Sequence, residues 1–332
     1  MMAWKKKNTQ PLDIDGVATE LMQGSRGALA KAITLVESNK EEHRYDAEKL
    51  LEKLDRTTTS FRIGVSGIPG AGKSTFIEDI GLSLCENGEK VAVLAIDPSS
   101  RYSKGSILGD KTRMERLSLH PNAFVRPTST GGTLGGVHHR TTEVLYLCEA
   151  AGYQTIFVET VGVGQSEGMV RELVDCFILL LLSRTGDDLQ GVKRGILELA
   201  DVFIINKADP NVRKEAENLK TSTEQLIQLF TPSTEGFEQE VWLHSTLLRE
   251  DKHEIVKSLE RVKMAMTILP SVQKRRFEQL IEWSNQHIRM EIQRLFEKEM
   301  KQEIAIMESK LSLHSPIPYA ELRELIRKFR NE

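Results

Sequence analysis

The sequence predicts an α/β fold: a mostly parallel central sheet flanked by helices, with helical extensions before and after it. Three observations predict this. From Phe61 onward, short apolar runs alternate with segments of helical length and spacing. One of those runs, "CFILLLL" from Cys176 to Leu182, is apolar throughout. A glycine-rich turn, "GIPGAGKST", joins the first run to a helix-like segment. Alternation of this kind covers both faces of a parallel sheet, and a strand inside such a sheet needs no polar face.

In chain order, residues up to about Thr59 read as helical. Ala28, Leu29, Ala32, Ile33 and Val36 recur at helical spacing, and Ala47, Leu50, Leu51 and Leu54 repeat the pattern. The strand candidates follow as "FRIGVS", "VAVLAID", "AFVRP", "TIFVET", "CFILLLL", "VFIIN" and "VWLH". From about Ser271 the pattern turns helical again. Phe277, Ile281, Ile288, Ile292 and Leu295 mark a long apolar stripe, and "SPIP" at Ser315 to Pro318 breaks it. No internal repeat and no low-complexity segment interrupts the chain.

The turn after the first strand has the form Gly67-x-x-x-x-Gly72-Lys73-Ser74, a phosphate-binding loop in its expected context. Glycines let backbone N–H groups point inward at phosphate oxygens, and the following helix N-terminus adds partial positive charge. Gly67, Gly70, Ala71, Gly72, Lys73, Ser74 and Thr75 are therefore candidate nucleotide-binding residues. Lys73 would reach the β- and γ-phosphates, and the Ser74 hydroxyl would complete a Mg²⁺ shell. The fold class sharpens to a P-loop NTPase.

Ligands of open parallel sheets lie at the carboxyl ends of the strands. There "VAVLAID" ends in Asp97, "TIFVET" carries Glu159, and "VFIINKAD" ends in Asn206, Lys207 and Asp209. Either acid alone would suit a helix cap; beside a phosphate loop they suit Mg²⁺-dependent phosphoryl transfer. Glu159-Thr160-Val161-Gly162 has the form of a γ-phosphate sensor, with the Gly162 N–H as the reporting group. Asn206-Lys207-Ala208-Asp209 selects the base. Asp209 can accept from both N1–H and the exocyclic amine of guanine, and adenine offers neither donor. A site built on such an acceptor rejects the wrong base by about 10⁴-fold. Lys207 would lie along the base and Asn206 would tie the loop to the phosphate loop. The reading is GTP rather than ATP, with GTP or GDP bound and Mg²⁺ as the metal. The expected division is a helical segment at 1–59, a P-loop GTPase domain at 60–268 and a helical arm at 269–332. The arm's stripe is long enough for dimerisation, although an intramolecular core would give the same pattern.

Composition excludes other classes. Lys+Arg 45 against Asp+Glu 48 leaves a formal net charge of −3, which implies no general attraction to nucleic acid or to an anionic membrane. The longest apolar run is far short of the roughly 18 residues of a membrane span. "MMAWKKKNTQPLDIDG" lacks the apolar core of a secretory signal, and its acidic residues argue against a transit peptide. Cys85, Cys148 and Cys176 show no metal or redox spacing and read as reduced core residues. The expected location is cytoplasmic. His138-His139 has no third ligand nearby and reads as a solvated or substrate-adjacent loop.

The stretches "IGVSGIPGAGKST", "VAVLAIDPSS", "GSILGDKTRM", "RPTSTGGTLGG", "CEAAGYQTIFVETVGVGQSE", "GDDLQGVKRGILELAD" and "NKAD" resemble the MeaB/ArgK family, GTPases associated with methylmalonyl-CoA mutase and related cobalamin-dependent mutases. The resemblance covers almost all of residues 24–210. It implies a homodimer held by its C-terminal helices, slow GTP hydrolysis until the mutase binds, and gated delivery and protection of adenosylcobalamin. By motif it implies that Asp97 and Asp110 lie in a first switch near Mg²⁺ and the attacking water. Glu159 would end the Walker B strand, and "VGVGQSE" would form a second switch. Gly186 to Gly195 would be a third switch that meets the mutase, with Gln190 and Lys193 its active members. From the residues alone, the last segment also reads as a helix start capped by Asp187 or Asp188.

One departure from the family pattern stands out. Where the family has a glycine-rich Ser-Ala or Ser-Gly turn supporting the base, this chain has "HSTLLREDKHE", with Ser245 as the candidate contact. Two alternatives accompany the GTPase reading. A small-molecule kinase would need a phosphate-acceptor pocket. A membrane-cycling ATPase is opposed by Asn206-Lys207-x-Asp209 and by the lack of a basic amphipathic tail.

Overall fold

The computed structural model describes residues 12–38, 40–54, 60–97, 114–129, 134–160, 166–182, 194–311 and 318–330. Side-chain oxygens open the N-terminal helices. Asp13 accepts from the Gly16 amide at 3.0 Å ahead of α1 (Ile14–Met22), and Ser25 from the Ala28 amide at 3.3 Å ahead of α2 (Arg26–Val36). Each satisfies an amide that the first helical turn leaves unpaired. With α3 (Glu41–Glu52) these helices bury Leu21, Leu29, Ile33 and Leu50 in a core shared with one face of the sheet.

The seven strands of that sheet are all parallel. In chain order they are β1 (Phe61–Gly67), β2 (Val91–Asp97), β3 (Ala123–Ser129), β4 (Thr155–Thr160), β5 (Cys176–Leu182), β6 (Val202–Asn206) and β7 (Glu240–His244). Their spatial order is β3-β2-β4-β1-β5-β6-β7, which places β1 between β4 and β5. The connecting helices are α4 (Lys73–Glu86), α5 (Glu115–Leu119), α6 (Leu134–Ala150), α7 (Ser166–Leu173), α8 (Arg194–Leu199), α9 (Arg213–Ile227) and α10 (Arg249–Thr267). Successive strand residues face opposite ways. Ala92, Leu94 and Ile96 accordingly join the core beneath α1–α3 and α6, while Val91 and Val93 join the core beneath α4 and α10. Phe157, Phe177 and Phe203 are fully buried, each contributing on the order of 2 kcal/mol.

The amino ends of the strands close on buried ion pairs. Arg62 of β1 meets Glu149 at 2.9 Å, Arg171 meets Asp201 at 3.1 Å, and Arg276 of α11 (Pro270–Glu299) meets Asp175 at 2.5 Å. Each aspartate also accepts a backbone amide at 2.8 Å, Asp175 from Arg62 and Asp201 from Phe177. Burial still pushes the Asp201 carboxyl up against the pull of Arg171.

The chain divides into two compact units, Met1–Gln279 and Leu280–Glu332. In the second, α12 (Lys301–Lys310) and α13 (Tyr319–Phe329) bury Met300 and Leu325, and Phe296 meets Phe329 edge to face at 5.1 Å. Phe277, Ile281, Ile288, Ile292 and Leu295 of α11 are exposed. The three cysteines are free and buried, and burial pushes the Cys85 thiol up to about 11. No helix among the described residues is long and apolar enough to cross a membrane.

The histidine pair corrects an expectation. His138 and His139 sit in α6 rather than in a loop, and His139 is buried with its Nδ1 3.4 Å from Glu143 Oε1 one turn on. Gly135 and Gly136 argue locally against helix, but Val144, Leu145, Leu147 and Cys148 of the same helix are fully buried, and that packing overrides propensity.

Candidate nucleotide site

Every predicted site residue that the structure describes lies at the carboxyl edge of the sheet. β1 ends in Gly67 at φ +151°, where a Cβ would stand 2.7 Å from the Leu180 carbonyl oxygen. The loop returns through Gly72 at φ +86°, where a Cβ would stand 2.7 Å from Asn206 Nδ2. Only glycine meets both the dihedral and the close approach. α4 starts at once after Gly72, so its first amides face the loop.

Lys73 is buried, and its ammonium donates to the Gly67 carbonyl at 2.8 Å and the Ile68 carbonyl at 3.4 Å. Ser74 Oγ donates to Glu159 Oε1 at 2.8 Å. The sheet register makes this meeting possible, because β4 pairs Glu159 with Val65 of β1 and with Ala95 of β2. Hard oxygen donors in this arrangement fit Mg²⁺. Ala71 is fully buried and Thr75 is exposed at the start of α4. Asp97 ends β2, and its side chain lies outside the described set. Asp110, Gly162, Gln190 and Lys193 also lie outside the described residues.

The 206–209 loop leaves β6 beside this phosphate loop. Asn206 Nδ2 donates to the Ala71 carbonyl at 2.6 Å, and Lys207 Nζ donates to the Gly70 carbonyl at 2.9 Å. Lys207 adopts φ +56°, a left-handed conformation that costs energy for a side chain of this size. Its neighbours hold it there: Asn206 by the bond to Ala71, and Ala208 by an amide bond to the His244 carbonyl at 3.0 Å. Arg213 donates to the Ala208 carbonyl at 3.4 Å while gripping Asp251 through both nitrogens at 2.6 and 3.0 Å.

Ser245 is fully buried and donates to Asp209 Oδ1 at 2.6 Å. The glycine-poor turn after it closes by other means. The Leu247 amide donates to Ser245 Oγ at 3.2 Å and the Leu248 amide to the Ser245 carbonyl at 3.3 Å. A serine hydroxyl that accepts from a nearby amide builds this turn without glycine.

Sequence reasoning missed the second layer. β6 pairs with β7 so that Asn206 lies opposite His244. His244 Nδ1 is 2.6 Å from Asn206 Oδ1, and Nε2 is 3.2 Å from Asp79 Oδ2 on α4. Lys252 of α10 holds the other Asp79 oxygen at 3.0 Å. Burial pushes the Asp79 carboxyl up, but the hydrogen bonds to His244 and Lys252 outweigh it and leave the group below its ordinary value. The one sequence signal was a histidine ending the last strand next to Ser245.

Comparison with known proteins bears on the family. The family described as "Methylmalonyl Co-A mutase-associated GTPase MeaB" matches residues 29–301. A Mycobacterium bovis protein named a probable GTPase is 47% identical over 277 residues, which cover 83% of this chain and 82% of that one. A Caenorhabditis elegans protein named methylmalonic aciduria type A homolog, mitochondrial, is 41% identical over 293 residues, covering 85% and 73%. A crystal structure of a LAO/AO transport system kinase matches with a TM-score of 0.70 at 32% identity, over 99% of this chain and 100% of that one. With the phosphate loop, the parallel sheet and these matches in agreement, the chain belongs to the MeaB family of methylmalonyl Co-A mutase-associated GTPases.

Proposed function

We propose that this MeaB-family GTPase gates delivery of adenosylcobalamin to a cobalamin-dependent acyl-CoA mutase, such as methylmalonyl-CoA mutase, and protects the cofactor in transit. One observation carries the nucleotide part: the 206–209 loop is bonded directly to the phosphate loop, Asn206 to Ala71 and Lys207 to Gly70. Base and phosphates are then read by one connected frame, with Asp209 as the guanine acceptor. The family name supports the mutase as partner.

In this reading Lys73 and the loop amides bind the phosphates. Ser74, Asp97, Asp110 and Glu159 hold Mg²⁺, which when bound neutralises charge on the β- and γ-phosphates. Gly162 reports the γ-phosphate, and Gln190 and Lys193 enter from the 186–195 segment when the mutase orders it. The protein works as a cytoplasmic homodimer through residues 269–332.

The solved relative is named a kinase, which favours a second reading, a small-molecule kinase. That activity needs an acceptor pocket beside the phosphate loop. Among the described residues, a cavity of about 480 Å³ walled by Arg213, Trp242, Asp251 and Arg261 takes in no phosphate-loop residue. The family match and the relatives named GTPases favour the GTPase reading.

The test is steady-state GTP hydrolysis with and without a cobalamin-dependent acyl-CoA mutase, for wild type and Lys193→Ala. The isolated protein should be slow, and the mutase should accelerate it. A late-arriving cation contributes about 10³-fold or more, as arginine fingers do, so Lys193→Ala should lose most of the stimulation and keep the intrinsic rate. Equal stimulation of both forms removes Lys193 from the coupling, and no stimulation by any such mutase returns the kinase reading.

A further inference from the structure

We propose that His244 is a positioning residue for the guanine-reading loop, a buried ring that clamps Asn206 against the phosphate loop and slows nucleotide release. The inference rests on the guanine-nucleotide reading of the site. It starts from Asn206, whose amide has two ends that the surroundings distinguish. The end facing the Ala71 carbonyl, 2.6 Å away, must be the NH₂, because a carbonyl only accepts. The other end, Oδ1, then faces His244 Nδ1 at 2.6 Å and needs a donor there. On the far side of the ring, Nε2 lies 3.2 Å from the Asp79 carboxylate. The ring is thus held from both sides, with Nδ1 turned to Asn206 and Nε2 to α4.

The surroundings fix the ring in place. His244 is fully buried, so its polar edges need partners, and Asp79 of α4 supplies one. Lys252 of α10 shares that carboxylate at 3.0 Å, and the Phe76 ring of α4 meets the imidazole edge to face at 5.1 Å. Phe76 and Asp79 stand three residues apart on α4, the helix that begins at Lys73, so one helix face carries both contacts. The chain of bonds runs Asp79, His244, Asn206, Ala71, and it joins the two loops that hold phosphate and base. A side chain at position 244 that offers no donor leaves Asn206 Oδ1 without its buried partner. Turning the amide over sets Oδ1 against the Ala71 carbonyl. Either arrangement leaves one polar contact unmade, and the tie between the loops weakens.

The experiment follows release of a fluorescent GDP from wild type, His244→Phe, His244→Gln and Asp79→Asn, with fluorescent ADP as comparator. His244→Phe should release GDP about tenfold faster than wild type, the cost of one unmade buried hydrogen bond. His244→Gln, whose amide can still donate to Asn206, should lie between them, and Asp79→Asn, which loosens the far side of the ring, should also release GDP faster than wild type. GDP release from His244→Phe at the wild-type rate overturns the proposal, as does a His244→Gln variant no slower than His244→Phe. Retention of ADP as tight as GDP by wild type sinks the guanine reading instead, and the comparison of His244→Phe with His244→Gln still decides the role of the ring.

Discussion

Asp209 accepts from a buried serine hydroxyl at 2.6 Å, so its carboxylate is oriented before any ligand arrives. In the proposed site guanine presents two donors to it, and an amide in its place has one acceptor and one donor. Asp209→Asn should therefore weaken GTP binding by about 100-fold or more and favour xanthosine triphosphate, whose C2 oxygen suits an amide. Calorimetric titration with both nucleotides reads this directly, and unchanged GTP affinity in the variant would remove Asp209 from the base site. Asp79 gives a pH prediction. Its folded carboxyl titrates below the ordinary 3.8, so the ionised form is the one that the fold favours. The resulting stabilisation is complete above the unfolded value and is lost as pH falls through the lower, folded value. Urea denaturation of wild type against Asp79→Asn should show the variant less stable at pH values above about 4 and the two converging below that. A constant difference down to the acid limit would mean that Asp79 acts by packing alone.

The same contrast between local and distant causes operates on whole elements. β1, β4, β5 and β6 were legible because a strand buried on both faces must be apolar at every position, and each shows an unbroken or nearly unbroken buried pattern. The phosphate loop was legible because its geometry is local and only glycine can adopt it at Gly67 and Gly72. His244 was not, because its role depends on the β6–β7 register and on a helix face 165 residues away. Nor was the start of α6, where tertiary packing outweighs two glycines. The first turns of α11 belong with these hidden features. Arg275, Arg276 and Gln279 look like a polar helix face, yet Arg276 reaches Asp175 and Glu149 at the strand amino ends. Asp175 is only 2% exposed, so Arg276→Met leaves a buried carboxylate without this cation and should cost about 3 kcal/mol. The urea midpoint should fall with an unchanged slope, and a loss under about 1 kcal/mol would show that Arg275 or solvent compensates.

At the scale of the whole molecule, the nucleotide edge lies in the first unit, while Ile281, Ile288, Ile292 and Leu295 of the α11 stripe lie in the second. We assign that stripe to a second copy of the chain. Covering five half-exposed apolar side chains on each of two copies contributes on the order of 10 kcal/mol. Association costs roughly 4–15 kcal/mol in lost freedom, so the balance is close and the dimer should depend on concentration. A close balance also makes the assembly sensitive to a single buried charge, because an unpaired carboxylate inside such a seam costs several kcal/mol. Ile288→Asp should therefore turn a concentration-dependent dimer into a monomer in sedimentation velocity. A wild type that sediments as a monomer at every concentration, or an Ile288→Asp variant that dimerises as well as wild type, would move the self-association surface off this helix.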